Sequence, residues 1–159
     1  MLPIRKILHP TDFSDYSEAA FRLACALARD YGAPLVVLHV SSPSAVAYPE
    51  GLFVLPPALV VPDLDDYLVR LHPASEGVDI DPRLVEGSPA HEIVRFVTEE
   101  PCDLIVMGTH GRTGLGRLLM GSVAEHVVRK APCPVLTVKA PVVAEKGTDP
   151  TAKEPAHAP

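Results

Sequence analysis

Four short runs of nearly unbroken apolar residues decide most of what this chain can become: Lys6-Ile-Leu-His9, Leu35-Val-Val-Leu-His-Val40, Asp103-Leu-Ile-Val-Met-Gly108 and Val135-Leu-Thr-Val138. Each is strand-sized. A strand with one wet face alternates apolar and polar residues, whereas a continuous apolar run suits a strand covered on both faces, the usual condition in a parallel sheet. Helical patterns lie between the runs. Ala19, Ala20, Leu23, Ala24, Leu27 and Ala28 recur at helical spacing, with Ser14 or Asp15 as cap, Glu18 in the first turn and Gly32 at the end. Ala90 to Thr98 reads as a helix behind the Ser88 cap and a first-turn Pro89, and Ser122 to about Lys130 as another, broken by Pro132-Cys-Pro134. A further strand fits Asp79 to Val85, where Pro82 demotes it to an edge.

Strands alternating with helices predict an α/β domain, an open parallel sheet of about five strands with right-handed crossovers and helices on both faces. Aromatic residues are only 5% and Trp is absent, so the core must be aliphatic. The domain spans 1–140. Within it, 41–77 reads as an irregular Pro-rich insertion, interrupted by Pro43, Pro49, Pro56, Pro57 and Pro62, with a short helix from Leu64 to Leu71. Residues 141–159, rich in Pro, Ala, Lys and Glu without periodicity, read as a disordered tail.

The net charge of −6 disfavours nucleic acid and anionic membrane as partners. No apolar stretch approaches the ~20 residues of a membrane helix, and the first residues carry too short an apolar run for a secretory signal. Cys25, Cys102 and Cys133 are widely spaced, without C-x-x-C, which suits free, mostly buried thiols in a reducing compartment. A cytoplasmic protein is expected.

In parallel sheets ligands bind beyond the carboxyl ends of the strands, where the strand order reverses. Two chemically rich segments fall there: Pro10-Thr11-Asp12, and Gly108-Thr-His-Gly111-Arg-Thr-Gly-Leu-Gly-Arg-Leu-Leu-Met-Gly121-Ser122. The second is no Walker A loop, since G-x-x-x-x-G-K-[ST] does not occur. A dinucleotide fingerprint on Gly114 and Gly116 fails at Leu119, and the nucleophile elbow G-x-S-x-G is absent. What remains is physical. Gly108 leaves the strand where a side chain would meet a bound ligand, and Gly111 lets backbone N–H groups approach phosphate oxygens. Gly121 and Ser122 open a helix whose N-terminal amides and dipole favour an anion, and Ser122 can cap it or give its hydroxyl to a phosphate. Arg112 and Arg117 add positive charge. The competing reading is that the glycines only shape a surface loop, and Asp12 only starts a helix. His9, His39 and His110 lie near strand ends without metal-ligand spacing, and no carboxylate pair or activated nucleophile stands out as a catalytic base.

The spacing Gly108-x2-Gly111-x9-Gly121-Ser122 resembles the ATP-binding signature G-2x-G-9x-G-[ST] of the universal stress protein (UspA) family. Ile7-Leu-His-Pro-Thr-Asp-Phe-Ser14 is similar to that family's first strand and helix start, and Pro132-Cys-Pro-Val-Leu-Thr-Val138 to its last strand. The resemblance covers about residues 3 to 139 and implies a Rossmann-like, adenine nucleotide alpha hydrolase-like sheet of order 3-2-1-4-5. It implies ATP contacted by Asp12 in the Pro10-Thr11-Asp12 turn, by the Val40 backbone at adenine, by Met107 and Gly108 at the ribose, and by Gly111, Gly121, Ser122 and Val123 at the phosphates, with Arg112 alongside. Magnesium or manganese would bridge the phosphates with few protein ligands. The family's common dimer implies pairing through Val135, Leu136, Thr137 and Val138. The expected role is a nucleotide-dependent regulatory or stress response; the alternatives are a slow ATPase or adenine-nucleotide hydrolase, and a nucleotide-independent partner-binding module. The family's second helix is usually long, and the Pro-rich stretch here departs from it.

Overall fold

The computed structural model describes residues 3–42, 44–48, 51–55, 64–111 and 120–139. Its centre is three buried strands, β1 (Ile7–Thr11), β2 (Leu35–Ser41) and, further along the chain, β6 (Leu104–Gly108). With β5 (Ile80–Glu86) and β7 (Val135–Val138) they form a five-stranded sheet in the order β5-β2-β1-β6-β7, parallel throughout. Counting only these strands, the order is the expected 3-2-1-4-5, and the Pro82 strand lies at an edge.

Alternation along each central strand splits the core in two. Ile7, Leu35, Val37 and Val106 face one side, where they meet Phe21, Ala24 and Cys25 of α1 (Asp15–Tyr31) and Tyr67 and Leu71 of α2 (Leu64–Ser75). Leu8, Val36, Leu38 and Ile105 face the other, against Ile93 and Val97 of α3 (Pro89–Glu99) and Ala124 and Val127 of α4 (Ser122–Lys130). Both faces of the sheet are thus covered, which is why its strands need no polar alternation. Buried Ala20, Ala24 and Ala28 give α1 a stripe of small side chains on its packed face. Ser14 caps it through Ser17 N–H (3.2 Å), and Gly32 closes it at φ 62°, a left-handed conformation that glycine adopts without steric cost.

The insertion departs from the irregular reading. Ser44–Tyr48 (β3) and Gly51–Leu55 (β4) pair as an antiparallel hairpin. Neither strand contains a proline, and Val46, Tyr48, Phe53 and Val54 are strand formers. The following helix also outruns its expected end at Leu71, continuing through Pro73 to Ser75. The tail from 140 onward lies outside the described residues. Among the described residues no helix is long and apolar enough to cross a membrane.

All three cysteines are free, Cys25 and Cys102 buried and Cys133 partly so. Burial pushes the thiols of Cys25 and Cys102 up to about 11, and that of Cys133 upward, which suits packing groups rather than nucleophiles.

Candidate functional site

The chain runs outward from β1 to β2 and β5, then crosses back to β6 and β7, so the strand order reverses between β1 and β6. A crevice must open there, because the connections leave β1 and β6 towards opposite faces. It holds a cavity of about 230 Å³. Pro10, Thr11, Asp12, Val40, Met107, Gly108, Gly111, Gly121, Ser122 and Val123 all line it. Of the expected ligand-contacting residues only Arg112 is missing from this set; it lies, with Arg117, outside the described residues.

The β1 side of the cavity is shaped by side chains. Asp12 Oδ1 accepts hydrogen bonds from Ser14 N–H (3.1 Å) and the Ser14 hydroxyl (2.6 Å). Thr11 Oγ1 accepts from Phe13 N–H (3.1 Å) and shares a hydrogen bond with Ser17 Oγ (2.7 Å). Phe13 between them takes φ 65°, a left-handed conformation rarely adopted by a bulky residue. Its ring stacks on His39 at 4.3 Å and makes an edge contact with Tyr67 at 5.0 Å. Asp12 is thus a helix-start residue through one oxygen, while the other, Oδ2, points at Gly111: a Cβ on Gly111 would sit 2.5 Å from it. The two readings of Asp12 are compatible.

Beneath this turn lies His9, fully buried. Its Nδ1 donates to Val106 O (2.9 Å), and Nε2 has no partner among the described residues. Loss of solvent outweighs that hydrogen bond and the charge of Asp12, and holds the imidazole down at about 4. His39 Nδ1 likewise donates to a backbone carbonyl, Thr11 O, at 2.8 Å. Both histidines lock strand ends together. The Tyr67 hydroxyl faces the Thr11–Ser17 pair without completing a hydrogen bond, and burial raises its pKa.

The β6 side is shaped by missing side chains. Gly108 lines the cavity and has a packing role as well: a Cβ there would lie 3.0 Å from the backbone carbon and oxygen of Tyr16 on α1. Ser122 does not cap α4; Gly121 is the N-cap, and Ser122 is the first helical residue. A glycine cap supplies no side-chain acceptor, so it leaves the amides of Ser122, Val123 and Ala124 uncapped from that position, and all three residues line the cavity. Thr109 fixes this corner. Its N–H donates to Val138 O (2.9 Å), and its carbonyl accepts from Gly121 N–H (2.8 Å). His110 bonds Thr109 Oγ1 through Nδ1 at 3.0 Å, and its ring rests 5.3 Å from Tyr16.

The sequence reading missed the wall opposite the sheet. Pro89 and Ile93 of α3 line the cavity, with Leu38 of β2 and Ser17 of α1. Ile93 carried a helical-phase signal, but only the packing of α3 over the sheet tells which strand end it reaches. Among the described residues no three His, Cys, Asp or Glu side chains gather as a metal site.

Residues 3–139 match the universal stress protein family. A universal stress protein of Methanocaldococcus jannaschii, MJ0531, is 42% identical over 141 residues, covering 86% of this chain and 83% of that protein. Among solved structures, a universal stress protein in complex with cAMP superposes with TM-score 0.67 at 27% identity, over 87% of this chain and 99% of that one. One from Archaeoglobus fulgidus in complex with dAMP gives TM-score 0.55 at 26% identity, over 87% and 100%. The match spans the whole sheet and both halves of the cavity, and on it the chain belongs to the universal stress protein family.

Proposed function

We propose that this protein binds an adenine nucleotide, ATP in the first place, in the switch-point cavity, and that the nucleotide sets the state in which it acts in a stress response. One observation carries the reading: the Asp12 carboxylate, Gly111 without a side chain beside it, and the glycine-capped start of α4 meet at one cavity. A carboxylate suits ribose hydroxyls or an adenosine amine, and open helix amides suit phosphate oxygens. The complexes of two relatives with cAMP and dAMP support the nucleotide class.

In this reading Val40 and Asp12 take the adenosine side, Met107 and Gly108 the ribose, and Gly111, Gly121, Ser122 and Val123 the phosphates. At about 230 Å³ the cavity falls below the ~300–1,000 Å³ of pockets that enclose drug-sized ligands. It suits the nucleoside part, with the phosphates leaving along the glycines. The donor set fits magnesium or manganese held mainly by phosphate oxygens, because Asp12 is the only carboxylate among the described lining residues. Such a metal would neutralise phosphate charge.

ATP with magnesium at millimolar concentration should raise the melting temperature, since a ligand that binds only the folded state stabilises it by mass action. Gly111→Val, which drives a side chain into Asp12, should abolish the rise. No rise with either metal overturns the reading. Phosphate release above that of Gly111→Val would instead favour slow hydrolysis. Pairing of two copies through Val135, Leu136, Thr137 and Val138 belongs to the same proposal: β7 is an edge strand, and Leu136 is 38% exposed on it. Leu136→Lys should shift light scattering from dimer to monomer.

A further inference from the structure

A histidine pair on the outer surface of α3 and α4 takes no part in the cavity. His91 is exposed on α3 and His126 half-buried on α4, and their ring centroids lie 5.0 Å apart with planes at 56°. The helices that carry them are fixed. Ile93 and Val97 anchor α3, and Ala124 and Val127 anchor α4, all buried in one core cluster. The backbone positions that carry the two rings are therefore set by packing that owes nothing to the imidazoles themselves.

That spacing has a chemical meaning. Two imidazoles that bind one ion through metal–nitrogen bonds of ~2.0–2.1 Å at a tetrahedral angle have centroids about 5 Å apart. Rotation about each Cβ–Cγ bond turns the ring nitrogens but leaves the centroid in place, because the centroid lies on the bond axis. The ring nitrogens can thus be re-aimed over a broad torsional well without leaving the χ1 rotamers that give the spacing seen. The nearby carboxylates are engaged elsewhere: Glu92 pairs with Arg95, and Glu125 with Arg129. A site of two neutral imidazoles, with its remaining positions open to water, suits a borderline transition metal and disfavours magnesium or calcium, which need oxygen ligands.

We propose that His91 and His126 form a surface site for one divalent transition-metal ion of the zinc, nickel or copper class, which clips α3 to α4. The site is independent of nucleotide. It does have a route to it, because the same helices present Pro89, Ile93, Ser122 and Val123 to the cavity.

Calorimetric titration of the nucleotide-free protein with zinc chloride, and separately with nickel chloride, tests the site. One ion per chain is expected. Outer-shell partners of a metal site alone are worth ~10–100-fold in affinity, so removing a ligand in His91→Ala or His126→Ala should cost at least about tenfold. The double variant should lose little more than either single one, because both changes dismantle one site. His72→Ala on α2 is the control and should bind as the parent does. Far-ultraviolet circular dichroism shows that each variant is folded. Absence of saturable binding, single variants within threefold of the parent, or losses that multiply in the double variant would each overturn the proposal.

Discussion

The two sides of the cavity reach similar precision by opposite means. After β1 the backbone is set by what side chains add: Thr11, Asp12 and Ser14 hydrogen-bond the turn, and Phe13 sits at φ 65° with its ring on His39. After β6 it is set by what side chains would obstruct, at Gly108, Gly111 and Gly121. The first construction can be titrated and trimmed atom by atom. The second is disturbed by addition, to a degree set by what each new Cβ would meet.

The largest test of the contrast is acid. His9 sits under the β1 turn with its pKa lowered from 6.5 to about 4, chiefly by burial. An unfolded chain takes up that proton at higher pH than the folded one, so stability rises with pH wherever the unfolded state binds more protons. The native state is therefore unpenalised above pH 6.5, loses stability as the pH falls through that value, and stops losing it below about 4. The shift corresponds to about 3 kcal/mol. Urea unfolding from pH 7 to pH 4 should show it, and His9→Gln, which can still donate to Val106 O, should flatten the slope. If the slope persists in His9→Gln, another group is responsible.

Next come the glycines, where neighbours differ in kind. A Cβ at Gly108 meets helix backbone, which cannot turn aside; a Cβ at Gly111 meets the end of the Asp12 side chain, which can. Gly108→Ala should cost about 1–3 kcal/mol of unfolding free energy, as overpacking does. Gly111→Ala should cost under about 1 kcal/mol, close to other tolerated changes, yet weaken nucleotide binding by displacing Oδ2. Equal stability losses in the two variants would show that the β6 side is uniformly tight, against the packing described.

Trimming the β1 turn has a smaller effect. Ser14→Ala removes the cap of α1 and a donor to Asp12 Oδ1 together. A lost cap costs ~1 kcal/mol, measurable as a lowered urea midpoint. Asp12 then loses a restraint, so the same variant should also bind nucleotide less well, whereas a change confined to α1 would leave binding intact.

This contrast explains which parts of the molecule were legible in the sequence. The sheet was, because doubly covered strands are mostly apolar, and the short runs at Leu35 and Leu104, alternating with helical patterns, fit such strands. The cavity's position followed from the sheet, and its glycines from their spacing. The pairing of Ser44–Tyr48 with Gly51–Leu55 was obscured because a high density of prolines in the sequence masked the two short proline-free runs among them. The neighbours of Gly108 and Ile93 were hidden for a different reason: both depend on a helix arriving from elsewhere in the chain. Spacing singled out Gly108 for a ligand's sake, and the packing of Tyr16 adds a second reason that spacing could not carry.

Phe13 is the subtlest of these cases, since nothing local marks an aromatic residue for a left-handed conformation. The cost of that conformation is about 1–2 kcal/mol for a residue with a Cβ and almost nothing for glycine. Comparing Phe13→Ala with Phe13→Gly separates strain from packing, because both lose the ring contacts with His39 and Tyr67 and only one keeps the Cβ. Glycine is ordinarily the less stable of the two, through its larger unfolded-state entropy. Here the order should invert, with Phe13→Gly more stable than Phe13→Ala by on the order of 1 kcal/mol in urea unfolding. The usual order would mean that the β1 turn relaxes once the ring is gone, and that the strain is imposed by the stacking itself. The inverted order would mean that the Asp12 and Thr11 hydrogen bonds impose it, so that the ring is accommodated by a turn built for the cavity.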